Sequence, residues 1–308
     1  MASGGGFRHE AFFYEGLSGF GDRVLTFIAD ELARGAIVLV MADPEQTALV
    51  RQSMRPPPVS LRFEDARALG TNPARLMPRW TEFVAEAAGV GRPLVGVGAL
   101  RYQRTPAERI ECELHEALLN VAFAEGAPWR LVCPFDTGAE TDVVNEARRT
   151  HPAIIEEDHV APSPSYLGLG AAALTLGEPL PKPPTDAAEL DFERLSTVRD
   201  FLRKQLEASA LSFGRVDDLL LATHEAASNC IRHGGGAGRI QVWREDTRIV
   251  CEVSGNGLIT DPLVGRRRPD PRRGSGMGLW IVNQVCDLVQ LRSSGKGTVV
   301  RMYMRLPI

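Results

Sequence analysis

Hydrophobic runs and amphipathic stretches alternate through the first half of the chain. Three short runs are uninterrupted enough to form strands buried on both faces, and the segments between them show helical periodicity. The runs are 36–42, 93–99 and 129–134, and the helical segments are 21–34, 45–54, 77–88 and 106–124. This order predicts an α/β domain with a doubly wound, mostly parallel sheet, whose ligand sites favour the carboxyl ends of the strands. Asp43, Arg101, Tyr102 and Asp136 stand at those ends.

The second half has a different order of elements. The pattern predicts helices at 192–206, 216–233 and 279–288, and strands at 240–243, 249–253 and 297–305. A proline-rich stretch between the halves predicts a semi-rigid, extended linker. Because 308 residues exceed the usual single core, we expect domains at 1–160 and 190–308, joined by a linker at 161–189.

A polar stripe crosses the otherwise apolar helix at 216–233. Glu225, Asn229 and His233 follow one another at steps of four, which places them on one helix face. One interpretation is a solvated face, since Glu and Asn are mostly exposed. The other is chemical: an amide oxygen is a suitable ligand for Mg²⁺, and a carboxylate can accept a proton from an attacking hydroxyl.

Three alternate glycines, Gly274, Gly276 and Gly278, precede the helix at 279–288. Glycine lets backbone amides approach an anion closely, and a helix start adds unpaired N–H groups, so the pattern fits a phosphate cradle. A flexible surface loop is the alternative. The nearby arginines are either a solvated loop or an electrostatic cover for a triphosphate. They are Arg266, Arg267, Arg268, Arg272 and Arg273.

Taken in order, these motifs and the Gly-Thr that begins the last strand resemble the GHKL ATPase superfamily, and most of all its anti-sigma-factor serine/threonine kinases. The resemblance covers about 190–308 and implies a Bergerat α/β sandwich that binds ATP and Mg²⁺. It implies that Glu225 is the catalytic base and that Asn229 holds Mg²⁺. The remaining residues that it assigns to the nucleotide site are His233, Gly255, Gly257, Gly274, Gly276, Gly278 and Thr298.

One position departs from the family pattern. Members usually have an aspartate two residues before the glycine that matches Gly257, and this chain has Gly255 there. Loss of such a charged hydrogen bond, worth about 1.5–3 kcal/mol, should weaken nucleotide binding by roughly one to two orders of magnitude. The site is therefore either a weak ATP site or one retired from catalysis. The intact Glu225, Asn229 and glycine loop favour the first interpretation.

The first half resembles a MEDS-type sensory domain over about 7–155. The resemblance is carried by His9, 12–14, 42–44, 109–120 and 133–136. It implies a RecA-like fold that senses a small molecule or other signal. The Gly-x-x-x-x-Gly-Lys-Ser/Thr motif of P-loop nucleotide-binding proteins does not occur in the sequence, which disfavours a P-loop NTPase. His9, His115 and His151 are far apart along the chain, without the close spacing typical of metal ligands, so we do not expect a metal among them.

Composition restricts the functional classes further. The chain is 44% hydrophobic and 24% charged with a net charge of −4, and it lacks the basic footprint expected for direct nucleic-acid binding. No segment approaches the roughly 20 apolar residues of a membrane span, and the start lacks signal-peptide character. Five cysteines without a Cys-x-x-Cys pair indicate buried hydrophobes in a reducing compartment. We therefore expect a cytoplasmic protein.

These patterns predict a signalling regulator in which an N-terminal sensor controls a C-terminal kinase. The resemblance implies a sigma factor and an antagonist protein as partners, the antagonist being phosphorylated on serine. It also implies that the helix at 192–206 either packs on the ATPase core or helps to form a homodimer. The alternative is a protein-binding module that no longer uses ATP. A sensor histidine kinase is disfavoured, because His224 lies in the same helix as the base and not in a separate phosphoacceptor hairpin.

Overall fold

The computed structural model describes residues 6–69, 71–87, 89–99, 105–138, 141–156, 159–270 and 276–307. Arg101, Tyr102, Arg272, Arg273 and Gly274 lie outside these ranges. The chain divides into two compact units, one of Met1–Gly70 with Arg79–Ala171 and one of Thr71–Pro78 with Ala172–Ile308. In the described residues, no helix is both long enough and apolar enough to cross a bilayer.

The first unit is built on a seven-stranded sheet. Its strands are β1 (Arg8–Tyr14), β2 (Ile37–Ala42), β3 (Leu61–Asp65), β4 (Leu94–Ala99), β5 (Arg130–Asp136), β6 (Ala153–Glu156) and β7 (His159–Pro162). They lie in the order β3-β2-β4-β5-β1-β6-β7, and every neighbouring pair is parallel except β6 and β7. The helices are α1 (Gly16–Ala33), α2 (Pro44–Ser53), α3 (Leu76–Glu86), α4 (Pro106–Ala122) and α5 (Thr141–Thr150). The predicted mostly parallel α/β sheet is confirmed.

Burial explains why the strands of the first unit read as continuous apolar runs. All six residues of β2 and all six of β4 are buried, as expected for strands covered on both faces. Val38, Val40 and Val97 join Phe20 and Ile28 of α1 in one hydrophobic cluster. At about 25 cal/mol per Å² of apolar surface, this burial is the main favourable contribution to folding of the unit.

The second unit is an antiparallel sheet with helices on one face. Its strands are β8 (Ala188–Phe192), β9 (Gly238–Glu245), β10 (Arg248–Gly255), β11 (Leu288–Ser294) and β12 (Gly297–Arg305), in the order β11-β12-β10-β9-β8. The helices are α6 (Ala171–Gly177), α7 (Leu195–Leu206), α8 (Phe213–His233) and α9 (Met277–Val285). Ile249, Cys251 and Val253 of β10 share a core with Leu202 of α7 and Leu219 of α8. The predicted C-terminal α/β sandwich is confirmed.

Two strands lie where the sequence predicted the ends of helices. The helix at 192–206 begins at Leu195, because Phe192 completes β8 and is buried in the core. The helix at 279–288 ends at Val285, since the backbone turns extended at Cys286, and Leu288 pairs with Tyr303. Local periodicity could not separate these edges, because short apolar runs fit either structure.

The proline-rich connection contains more structure than an extended linker would. Its Ala171–Gly177 stretch forms α6, in keeping with the high helix propensity of Ala and Leu. Further along, the Pro181 carbonyl accepts a hydrogen bond of 2.6 Å from Arg301 Nη2. Arg301 also forms an ion pair of 2.6 Å with the buried Glu252, so this part of the connection lies against the outer face of the sheet in the second unit.

Candidate functional site

Helix α8 holds the predicted base and cation ligand. The helix begins after Ser212, which has extended backbone angles, and its C-cap is Gly234. Leu219 and Ala226 are buried in the core, whereas Glu225 and Asn229 are half-buried on the adjoining face. His233, one turn further on, is exposed. The spacing of four therefore places the three residues on one face, as predicted. Their exposure increases along that face towards the end of the helix.

The first turn of α9 lies directly against Glu225 and Asn229. A methyl group at Gly278 would lie 2.7 Å from Glu225 Oε2 and 3.6 Å from Asn229 Nδ2, closer to the carboxylate than a real side chain allows. Gly276 caps the helix with a φ of 89°, a left-handed conformation that favours glycine. Two of the three glycines thus have distinct physical roles, and Gly274 lies outside the described residues.

A cavity of about 270 Å³ adjoins this contact. Seven of the nine predicted site residues line it: Asn229, His233, Gly255, Gly257, Gly276, Gly278 and Thr298. Ile259, Val264, Leu279 and Val300 supply apolar walls. The volume is slightly below the roughly 300–1,000 Å³ of common ligand pockets, and an apolar cavity with few polar groups suits a flat heteroaromatic ring.

A chain of hydrogen bonds fixes the polar end of the cavity. The Ile259 N–H donates to Ser293 Oγ at 2.8 Å, and the Thr298 hydroxyl donates to the Gly257 carbonyl at 2.7 Å. Ser293 Oγ and Thr298 Oγ1 are 2.8 Å apart, so the serine hydroxyl donates to the threonine. A hydroxyl oxygen has two lone pairs, and Thr298 therefore retains one to accept a hydrogen bond from a ligand.

Gly255 faces a cysteine of α8. A methyl group at position 255 would lie 2.8 Å from Cys230 Sγ and 3.0 Å from Cys230 Cβ, so the thiol takes much of the space that an aspartate side chain would need. Burial raises the pKa of Cys230 to about 11, and the thiol is therefore uncharged near neutral pH. Asn256, the next residue, is exposed and lines a separate depression with Glu193 and Lys296.

These residues fit a magnesium nucleotide in most respects. Because residue 278 is glycine, the start of α9 can lie beside a carboxylate and an amide, both of which offer oxygen atoms that Mg²⁺ prefers. The start of α9, at Met277, provides unpaired backbone N–H groups suited to an anion. The end of the cavity that would hold the adenine lacks the aspartate typical of the family, since position 255 is glycine.

Comparison with known families agrees with both halves of the molecule. Residues 8–152 match the family model described as MEDS: MEthanogen/methylotroph, DcmR Sensory domain, and residues 188–304 match that of the Histidine kinase-like ATPase domain. The chain combines a MEDS domain with a histidine-kinase-like ATPase domain. Both resemblances are confirmed at this level. No curated protein matches the chain.

Among solved structures, this protein is similar to one chain of a two-protein complex. That structure is described as the crystal structure of the SiaB-SiaC complex from Pseudomonas aeruginosa. The identity is 15% and the TM-score 0.30, and the match covers 38% of this chain and 88% of that one.

The acidic strand ends of the MEDS domain have structural uses. Asp43 caps α2 in a reciprocal arrangement with Gln46. Asp136 Oδ1 accepts hydrogen bonds from the backbone N–H groups of Gly16 and Gly138, at 3.1 and 2.9 Å. Both carboxylates therefore organise backbone turns at this edge of the sheet.

The histidines of the MEDS domain behave differently from one another. His9 and His151, which are far apart in sequence, pack with ring centroids 4.0 Å apart, and both contact Glu116. Burial lowers the pKa of His151 to about 3, so this ring is neutral near pH 7. Burial acts to raise the pKa of Glu116, but His9 and the other nearby histidines lower it to about 2.

Two residues in or beside the cavity are not identified by the sequence patterns. The sequence indicates only that Cys230 is a buried hydrophobe, and no pattern marks Ser293. A cysteine immediately after Asn229 does not by itself indicate a contact with the cavity, because its effect depends on which distant residue packs against it. Ser293 reaches Thr298 across the β11–β12 hairpin, where the two residues are direct partners in the register.

Proposed function

We propose that the ATPase domain binds ATP with Mg²⁺ and acts as a serine/threonine protein kinase of the anti-sigma-factor type. The observation that supports this is the meeting of Glu225, Asn229 and Gly278 at the first turn of α9. A carboxylate, an amide and a helix N-terminus in one small volume can supply a general base, a cation ligand and an anion site.

Each residue has a separate task in this proposal. Glu225 accepts the proton of the attacking serine hydroxyl, and Asn229 holds Mg²⁺, which when bound neutralises charge on the phosphate oxygens. The backbone around Gly276 and Gly278 positions the phosphates. Phosphoryl transfer depends mainly on positioning and electrostatic stabilisation, so a constellation of this kind is sufficient in principle.

The adenine would be held without the aspartate that usually binds its amino group. The apolar walls cover the faces of the base, and the free lone pair of Thr298 can accept a hydrogen bond from its amino group. One neutral hydrogen bond contributes about 0.5–1.5 kcal/mol, compared with about 1.5–3 kcal/mol for one to a charged group. The proposal therefore includes a nucleotide affinity below that of relatives with the aspartate.

The wider assignment follows the kinase type. The substrate is a serine of an antagonist protein, the second partner is a sigma factor, and the MEDS domain controls the kinase in response to a small molecule. The protein acts in the cytoplasm. These elements rest on the two matched domains and on the absence of a basic footprint in the sequence.

Two measurements on the full chain test the proposal. Calorimetry with millimolar Mg·ADP reports binding, and transfer of labelled γ-phosphate to candidate antagonist proteins reports activity. Glu225→Ala should leave binding within a few-fold and lower transfer by about 10²–10⁴. The matched control is Asp217→Ala, an exposed carboxylate on the same helix. Transfer that persists in Glu225→Ala would refute the role of this residue.

A second function is favoured by the contact at Gly255. With Cys230 in the space of the missing aspartate, the domain could bind its partner protein without nucleotide. In that case millimolar nucleotide gives no heat of binding, while the folded chain still captures its partner. Binding of nucleotide to the wild-type chain excludes this alternative.

A further inference from the structure

Four ligand-type side chains meet in the interior of the MEDS domain, away from the nucleotide site. His9 comes from β1, Glu116 from α4 and Cys133 from β5, and His151 directly follows α5. One ligand atom from each lies within 4.8 Å of the others. Each residue is at most 2% exposed. The proposed kinase uses none of them.

The separations match those of ligands around one small cation. His9 Nε2 and His151 Nε2 lie 3.2 and 3.6 Å from Glu116 Oε2. Cys133 Sγ lies 3.5 Å from His9 Nε2 and 3.7 Å from Glu116 Oε2. With metal–ligand bonds of about 2.0–2.3 Å, neighbouring ligands of a tetrahedral zinc site are about 3.3–3.8 Å apart. Four of the six separations therefore already lie in or near this range, and the other two are at most 4.8 Å.

Hydrogen bonds on the far side of both rings orient them for coordination. The Asn120 amide nitrogen donates to the Thr150 carbonyl at 2.7 Å, so its oxygen, 3.1 Å from His9 Nδ1, accepts the Nδ1–H. His151 Nδ1 lies 2.9 Å from the Ala147 carbonyl and donates to it. Both Nε2 lone pairs consequently point into the cluster, the arrangement that outer hydrogen bonds impose on histidines that bind metals.

One ring nitrogen in the cluster is left with an unsatisfied lone pair. His151 Nε2 has no hydrogen-bond partner in the described part of the chain. A buried polar atom of this kind costs free energy unless something supplies the missing positive charge.

We propose that His9, Glu116, Cys133 and His151 bind one Zn²⁺ ion in the MEDS domain. Two neutral imidazoles, a carboxylate and a thiolate balance the double charge of the ion, which suits a buried site. Binding releases the thiol proton of Cys133 to solvent. With all four positions filled by protein, the site is closed, as in structural zinc centres, and it ties two strands to α4 and to the end of α5.

Metal content of the full chain tests the proposal. The protein is stripped with a chelator, reloaded with Zn²⁺ or Co²⁺, and measured by elemental analysis and absorption spectroscopy. The wild type should bind one ion per chain, and Co²⁺ should give tetrahedral ligand-field bands with a thiolate charge-transfer band. The melting temperature of the loaded protein should rise above that of the stripped protein.

Two cysteine variants make the test specific. Cys112→Ser removes another buried thiol, on α4, and should bind Zn²⁺ like the wild type. Cys133→Ser should bind it at least about 10–100-fold more weakly, since even loss of a hydrogen-bonding neighbour of a ligand costs that much. Equal effects of the two variants would contradict the assignment of Cys133.

The wild-type measurement decides the matter even if Cys133→Ser does not fold. A folded wild-type chain that takes up no Zn²⁺ overturns the proposal, and so does bound Co²⁺ without a thiolate band. Preferential retention of iron or copper over zinc at the same residues overturns the identity of the ion. Because the cluster lies in the MEDS domain, neither failure depends on whether the ATPase domain binds nucleotide.

Discussion

Single residues decide how much space there is in and around the proposed nucleotide cavity. Gly278 permits α9 to approach Glu225, and Cys230 occupies the space beside Gly255. Neither residue has a chemical role in the proposed phosphoryl transfer. Their influence comes from volume alone, because a close-packed interior has no room for an added atom unless a neighbour moves.

A coupled substitution tests the Cys230 contact. Gly255→Asp alone should not strengthen Mg·ADP binding, since the new side chain meets Cys230 Sγ at 2.8 Å. Adding Cys230→Ala removes the sulfur and leaves only the Cβ contact at 3.0 Å, which a small shift can relieve. The double variant should then bind about 10–100-fold more tightly than Cys230→Ala alone, the worth of one charged hydrogen bond. Calorimetry on all four combinations gives the coupling. Strictly additive effects would show that the thiol does not block this position.

Gly278→Ala provides a second test at this scale. Its methyl group would lie 2.7 Å from Glu225 Oε2, so α9 must shift away from α8 and nucleotide binding should fall at least about tenfold. Gly295→Ala is the matched control, because a methyl group there meets nothing within 4 Å. Calorimetry with Mg·ADP compares them, and an equal affinity in both variants would contradict the close contact.

At the scale of elements, α8 connects the core of the ATPase domain to the proposed site. Its apolar residues anchor the helix against the sheet, and its polar face carries Glu225 and Asn229. The position of the functional groups therefore depends on burial on the opposite side of the same helix. This is the usual way in which a rigid element positions a site.

Substitutions of Leu219 and Leu221 test how strongly the apolar face anchors α8. Leu219 is fully buried and Leu221 is 43% exposed on the same helix. Leu219→Ala should lower the free energy of unfolding by about 2–5 kcal/mol, because it leaves a cavity in the core. Leu221→Ala should change it by less than about 0.5 kcal/mol. Urea denaturation followed by circular dichroism distinguishes them, and similar losses would show that α8 packs differently.

At the scale of the whole molecule, each compact unit has its own hydrophobic core, and the membership of the units does not follow chain order. Residues 71–78 group with the C-terminal unit, where Arg75 Nη2 donates to the Cys286 carbonyl at 2.6 Å. A cation at that point also lies at the negative end of the α9 dipole. A residue distant in sequence thus caps the C-terminal end of α9, whose first turn contains the glycine motif.

Separate cores allow a pH effect to be assigned to one unit. Burial, followed by the nearby Glu113, raises the pKa of Glu146 on α5 from 4.5 to about 7. Between these values the folded state binds more protons than the unfolded state. The stabilising contribution of this group is therefore complete below about pH 4.5 and is lost as the pH rises through about 7.

Glu146→Gln should remove that contribution to the pH dependence. The difference in melting temperature between wild type and variant, measured for the transition of the MEDS unit, should shift against the wild type from about pH 5 to about pH 8. Glu156→Gln, an exposed site whose side chain is 60% accessible, is the control. A difference that stays constant with pH would show that Glu146 ionises normally.

The sequence by itself determined the features that depend on local spacing. Apolar runs predicted three parallel strands of the first unit, β2, β4 and β5, and the step of four placed Glu225 and Asn229 on one face of α8. The alternate glycines located the start of α9. Each of these patterns is contained within one or two turns of backbone, where geometry is fixed by bond angles and periodicity. Ambiguity remained at the ends of elements, such as Phe192 and Leu288, and the pattern did not predict α6 or strands such as β1 and β3.

The tertiary structure alone decided which distant residues meet. Cys230 opposes Gly255 because α8 packs across the end of β10, and no spacing along the chain expresses that distance. The same holds for the buried cluster that includes His9 and His151, which lie on separate elements brought together by the order of the sheet. The physical reason is that packing and strand order are properties of the whole core, whereas a sequence pattern reports only the preferences of neighbouring residues.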